Sequence, residues 1–354
     1  MTSRERILAA VSGRATDLTP VAPYMGNFGA RVSGIPIGRY NHNGKLMAEA
    51  QIRAWELVGQ DAVVAQSDNY YIAEGFGCRI AQPEDSTPNL IAPAITRLDE
   101  IDRLRVPDPG SAGRMPVYLE AVSRLRTHFG AELAVRGPGT GPFSLASYLF
   151  GGTENFLAEL ATAEAEEDLN AQLQFTRLLE IAADGLIAFL AALLEAGSDF
   201  LQAGDSLASL SMISPAFYEK YAWPAEKRVF DAINPLAHAK GCVTLLHICG
   251  DTTRILPLMA DTGADILELD TQVDLAAARR IVRDRVCLMG NISPVNELLE
   301  GSPRSVAKAG ADAIEAGSSS DGRFILGSGC EVPPLAPIEN LRAMVAAARS
   351  VKRK

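Results

Sequence analysis

Side chains suited to metals and chemistry are scarce in this chain. Its 354 residues include four histidines, five cysteines and two tryptophans. Basic runs are missing as well. The formal net charge is −10, and without a cationic patch to hold phosphates neither nucleic acid nor an anionic membrane surface is an expected partner. The longest strongly apolar stretch, "GLIAFLAALLEAG" at 185–197, falls well short of the roughly 20 residues a spanning helix requires. The start, "MTSRERILAAVSGRATD", is charged and amphipathic and does not read as a secretory signal. Five cysteines without such a signal point to a reducing compartment, so the expected location is the cytoplasm. Nucleotide fingerprints are absent too. No GxGxxG follows the first strand, and "GPGTGPF" (137–143) lacks the GxxxxGK[ST] order and carries two prolines that cannot donate. It reads as a stiff loop.

What is present is a large apolar fraction, 47%, arranged in a repeating way. Eight short β-rich runs each end in Gly, Asn, Asp or Ser and lead into a helical stretch. They are "PVAPYMGNFG" from Pro20, "DAVVAQSDNY" from Asp61, "ELAVRGPGTGPF" from Glu132, "DFLQAGDS" from Asp199, "CVTLLHICGD" from Cys242, "ADILELD" from Ala264, "VCLMGNISP" from Val286 and "RFILGSGCEVP" from Arg323. Strands separated by helices imply parallel βαβ units, and runs without alternation suit strands buried on both faces. Eight units predict an α/β fold, a (β/α)8 TIM barrel with additional N-terminal helices, over a doubly wound open sheet. The stretch from Phe156 to Gly197 is rich in helix formers and reads as one long helical region. No linker divides the chain, so a single domain over 1–354 is expected, with 83–114 as an irregular inserted segment.

In such a barrel the active site lies at the C-terminal strand ends. The polar residues placed there are Tyr24 and Asn27, Asp68, Asn69 and Tyr70, Asp205, His247 and Cys249, Glu268 and Asp270, Asn291, and Cys330. "LLHICGD" (245–251) concentrates the question, because three potential ligands, His247, Cys249 and Asp251, arrive within five residues. His247 and Cys249 point the same way on an extended backbone. Cys330 lies far away in sequence but on the same rim. One nitrogen and two thiolate sulfurs are what Zn2+ prefers, and three protein ligands leave a position open for substrate. Cys78, Cys242 and Cys287 read as small buried hydrophobes. Asp270, nearer the rim than Glu268, is the expected carboxylate beside the metal; Asp68, Asp205 and Asp270 are the candidate catalytic groups. Tyr24, Asn27, Tyr70 and Asn291 are the candidate substrate contacts.

At this point the chain resembles a family. "LLHICGDTTRILPLMADTGADILELD", "LMGNISP" and "FILGSGCEVPPLAPIENLRAM" are similar to the C-terminal half of the uroporphyrinogen decarboxylase superfamily, in its corrinoid-dependent methyltransferase branch. "SRERILAAVSGRATDLTPVAP", "GPFSLASYLFGG" and "GSDFLQAGDSLASLSMISPAFYEKY" extend the likeness over nearly the whole chain. The resemblance implies a catalytic zinc on His247, Cys249 and Cys330, and methyl transfer between methylcobalamin and a small thiol or another donor or acceptor. The corrinoid is expected on a separate protein, since no D-x-H-x-x-G stretch occurs here. The rival within the superfamily is a metal-free decarboxylase with an arginine-rich N-terminal grip. Here that region reads "MGNFGARVSGIPIGRY", with Arg31 and Arg39 but no "RQAGR". A zinc hydrolase is the further alternative, disfavoured because two thiolates blunt the metal's acidity.

Overall fold

The structure, a computed structural model, describes residues 1–318 and 322–350; the remaining residues, including the last four of the expected domain, lie outside it. Its strands are β1 (Ala62–Val64), β2 (Arg79–Ala81), β3 (Asn89–Ala92), β4 (Ala134–Gly137), β5 (Phe200–Gly204), β6 (Val243–Ile248), β7 (Ile266–Leu269), β8 (Cys287–Ile292) and β9 (Phe324–Ser328). Among the described residues seven of them form one parallel sheet in the order β1-β4-β5-β6-β7-β8-β9, while β2 and β3 pair by themselves as a hairpin. The expected barrel is present, and seven of the eight expected strands are these seven.

The eighth, from Pro20, is only a single bridge between Val21 and Leu326. Pro20 and Pro23 have no N–H to give a ladder, so regular pairing cannot extend. The segment still closes the ring. Ala22 donates to the Leu326 carbonyl at 2.8 Å, Leu326 donates to Pro20 at 2.9 Å, and on the other side Asp61 donates to Val21 at 2.7 Å.

Alternation along each strand sorts its side chains. Val63, Val135, Leu201, Leu246, Leu267, Leu288 and Leu326 face the surrounding helices. Ala62, Ala134, Phe200, Leu245, Ile266, Cys287 and Ile325 fill the interior. The charged start of the chain closes the bottom of that interior. Helix Ser3–Val11, begun by a Thr2–Glu5 capping box, buries Ile7, Ala10 and Val11 against the interior side chains. Burying Ile7 completely is worth about 2–3 kcal/mol. Arg4 pairs with Asp199 at 2.6 Å and Arg6 with Asp61 at 2.7 Å, fixing the helix to the strand starts. Only the C-terminal end of the barrel is left open for chemistry.

Two local expectations need correction. The 156–197 region is two helices, Thr153–Ala165 and Leu169–Ala196. Asp168 accepts from the Ala171 amide and starts the second helix, while Glu167 at φ 54° breaks the first. The 83–114 segment carries β3 and a short 3-10 turn, and it ends on Arg114, which returns to the site described next. No helix among the described residues is long and apolar enough to cross a membrane.

Candidate metal centre

The interior changes character two residues above its apolar layer. Ala134 gives way to Arg136, Phe200 to Gln202, Leu245 to His247 and Ile266 to Glu268, all four polar side chains being buried. These belong to the neighbouring strands β4, β5, β6 and β7, whose curvature turns their side chains toward one another. Arg136 clamps the Glu268 carboxylate at 2.7 and 2.6 Å, donates to the Gln202 oxygen at 2.9 Å, and lies 4.3 Å from the Tyr24 ring centre. His247 and Glu268 are register partners. His247 Nδ1 lies 3.1 Å from the Glu268 main-chain oxygen and 3.4 Å from its carboxylate. That leaves Nε2 facing up.

Above it the three expected ligands converge. Nε2 is 3.3 Å from Cys249 Sγ, and Cys249 Sγ is 3.8 Å from Cys330 Sγ, across 81 residues of chain. The ligand atoms of the three residues all lie within 4.8 Å of one another. Both cysteines are partly exposed, whereas Cys78, Cys242 and Cys287 are buried. The Ser206 hydroxyl, 3.2 Å from Cys249 Sγ, is a neighbour that sequence reasoning missed.

The electrostatics follow from this packing. The hydrogen bond from Cys330, helped by Ser206, holds the Cys249 thiol below its ordinary value against the opposing effect of burial. The same bond to Cys249, together with burial, pushes the Cys330 thiol well up. Burial disfavours a charged His247, but the contact with Cys330 and the Glu268 carboxylate outweigh it and raise the imidazole to about 9. Glu268 goes the other way: burial would raise it, and Arg136 holds it down. The donor set thus gathers protons and a thiolate in one small volume. A dication replacing those protons fits it, and one imidazole nitrogen with two sulfurs is a zinc-type set with a position to spare.

The other candidates lie around this centre in distinct ways. Asp270 accepts from the Gln272 amide at 3.0 Å; its charge opposes ionisation of Cys249, but it is outside the three-ligand cluster, and the carboxylate against the histidine is Glu268. Asp251 turns to Thr253. Asp205 is fully buried and accepts from the Phe143 amide at 2.9 Å and from the Ser144 amide and hydroxyl at 2.7 Å each. It thereby caps helix Pro142–Leu149 and fastens the 137–143 loop, whose Gly141 also donates to Gly204. Asp68 is held by both Arg114 nitrogens at 2.6 and 2.9 Å and by the Tyr118 hydroxyl at 3.0 Å. Tyr70 stacks near Tyr148, ring centres 4.7 Å apart, and Asn291 donates to the Asp270 and Val273 carbonyls. Asn27 is engaged with Ser67, and its amide donates to Glu331, whose burial raises its carboxyl to about 7. Arg114, Arg136, Tyr148 and Ser206 could not be found from the sequence, because each reaches the site from a different strand, helix or loop.

Comparison with known proteins places the chain in a family and a fold. Residues 2–351 match the profile of a family described as Uroporphyrinogen decarboxylase (URO-D). The methylcobamide:CoM methyltransferase MtbA of Methanosarcina mazei is 33% identical over 307 residues, covering 86% of this chain and 84% of its own. A uroporphyrinogen decarboxylase of Prochlorococcus marinus (strain MIT 9211) is 30% identical over 313 residues, covering 88% and 84%. The solved structure of a methyltransferase from Methanosarcina mazei matches with a TM-score of 0.86 at 27% identity, covering 99% of both chains.

Proposed function

This chain belongs to the uroporphyrinogen decarboxylase family, within which it is a methyltransferase, and on that premise we propose that it moves a methyl group between a corrinoid and a small thiol with the help of zinc. The observation that carries the reading is the convergence of His247, Cys249 and Cys330 at the open end of the barrel. Sequence identity alone barely separates methyltransferase from decarboxylase relatives, at 33% and 30%. The three-ligand cluster does, because a metal-free decarboxylation has no use for it.

His247, Cys249 and Cys330 are the residues that would hold the zinc. Bound there, zinc supplies deprotonation of a substrate thiol at neutral pH, where a free thiol of pKa near 8.5 is mostly protonated. The chain's own residues do the rest. Two cysteine sulfurs keep the site electron-rich and favour nucleophilicity over acidity. Ser206 and Glu268 fix Cys249 and His247 in place. Asp205 holds the 137–143 loop over β5, and Asp68, through Arg114 and Tyr118, fixes the turn before Tyr70. Asp270 supplies negative charge beside Cys249, while Tyr24, Asn27, Tyr70 and Asn291 shape the mouth where substrate enters. The corrinoid is carried by a separate protein that docks over that mouth, and the methyl group passes in either direction between its cobalt and the heteroatom of a small thiol or another methyl donor or acceptor. The whole chain acts as one domain in the cytoplasm.

The test is consumption of methylcobalamin by the zinc-loaded protein with a panel of small thiols, methylated products being identified by mass spectrometry. Turnover with at least one thiol, lost in Cys249→Ala, is expected. Zinc-loaded protein that methylates none of them would remove the thiol as acceptor.

A further inference from the structure

Arg136 and Glu268 are an ion pair inside the barrel, with side chains 3% and 1% exposed. A buried pair of this kind adds little stability over apolar residues of the same volume, because desolvation cancels most of the attraction. The layer directly below is apolar, so the interior accepts such residues. The pair therefore calls for a use other than packing. The pair meets the ligand cluster through His247, whose Nδ1 faces the Glu268 carbonyl and carboxylate together. Gln202 and the Tyr24 ring enclose the Arg136 guanidinium on its remaining sides.

We propose that Glu268, locked in place by Arg136, is a positioning residue that keeps the Nδ1–H of His247 turned into the barrel and so presents Nε2 to Cys249 and Cys330. A histidine ligand is oriented by whatever accepts from its second nitrogen, and removing that partner typically costs about 10- to 100-fold in metal affinity. Strand pairing supplies the main-chain acceptor, and the Glu268 side chain adds a second acceptor that holds the proton there. The inference rests on the metal reading above, and its test also has a readout that needs no metal.

Removing Glu268 alone would strand Arg136 as a buried cation, so the comparison uses two double variants. Arg136→Met with Glu268→Gln keeps a side-chain acceptor near Nδ1; Arg136→Met with Glu268→Leu does not. Both lose the ion pair and both retain the main-chain carbonyl, so their difference isolates the side chain. In metal-free, 15N-histidine-labelled protein, the wild type and the Gln variant are expected to show a slowly exchanging His247 Nδ1–H resonance, assigned by its loss in His247→Ala. The Leu variant is expected to lose it to exchange. Cobalt(II) affinity, measured by chelator competition, should fall about 10- to 100-fold in the Leu variant and several-fold less in the Gln variant. Equal losses in both variants would mean that the pair serves packing, and an unchanged resonance and affinity in the Leu variant would overturn the proposal. Should the wild type bind no cobalt while the resonance follows the stated pattern, the metal reading falls and the orientation of His247 by Glu268 stands.

Discussion

Replacing Cys330 by alanine tests the metal centre most directly, because this residue is 81 positions from its nearest partner and owes its place entirely to barrel closure. Four-ligand structural zinc sites bind with about 10–16 kcal/mol at neutral pH, so one ligand is worth on the order of 3 kcal/mol, or roughly a hundredfold in affinity. Cys330→Ala and Cys249→Ala should each lose at least that much, since three protein ligands leave less to compensate. Cys242→Ala should lose nothing, because that thiol is buried and donates to the Ser198 carbonyl. Zinc per chain after purification without added metal, followed by chelator competition, gives both stoichiometry and affinity. The same titration repeated between pH 7 and 9 should show affinity rising with pH. Metal must displace the proton of His247, whose imidazole is raised to about 9, and that of Cys330, whose thiol is also raised. Full zinc retention by Cys330→Ala with the fold intact would refute the convergence of the three residues. Absence of zinc from every preparation of folded wild type would refute the thiol-activation mechanism itself.

Other consequences can be checked separately. Metal-free protein treated with diamide, which takes the two hydrogens and two electrons, should form a Cys249–Cys330 disulfide by peptide mapping, leaving the buried Cys78, Cys242 and Cys287 unmodified. Asp205→Ala strands the buried Phe143 and Ser144 amides at about 1–3 kcal/mol each, so the urea midpoint should drop by a few kcal/mol equivalent. An unchanged midpoint would show that Asp205 does not cap helix Pro142–Leu149. Arg114→Ala leaves Asp68 buried without its cation and should cost about 3–5 kcal/mol, read from the same denaturation curves. Glu226 is fully buried, and burial raises its carboxyl well above the ordinary value. The folded state then holds a proton that the unfolded state releases above its ordinary carboxyl pKa near 4.3, so this residue's contribution falls as pH rises through neutrality. Glu226→Gln, which can still accept from Tyr218, should match the wild type near pH 5 and exceed it near pH 8; parallel pH profiles would contradict the assignment.

The sequence by itself determined the class of the molecule. Strand-like runs alternating with helical stretches call for a parallel α/β sheet, their number, eight, favoured a barrel over a doubly wound sheet, and the scarcity of histidine and cysteine made His247, Cys249 and Cys330 conspicuous. Local rules also failed in recognisable places. Two prolines reduced the Pro20 segment to one bridge, and an aspartate cap divided a helical region that periodicity alone would join. Other features were decided only by tertiary structure. Glu268 lies on β7 and Asp270 just past its end, and only the pairing of β7 with β6 shows that Glu268 meets the histidine while Asp270 closes a turn. Arg136 is a single arginine in "AVRG", Ser206 a single serine in "GDS", and Arg114 the end of a long irregular excursion. Periodicity tells which way a side chain faces on its own strand. Which side chains then meet across the interior depends on stagger and closure, which link residues far apart in the chain and leave no mark on any one segment.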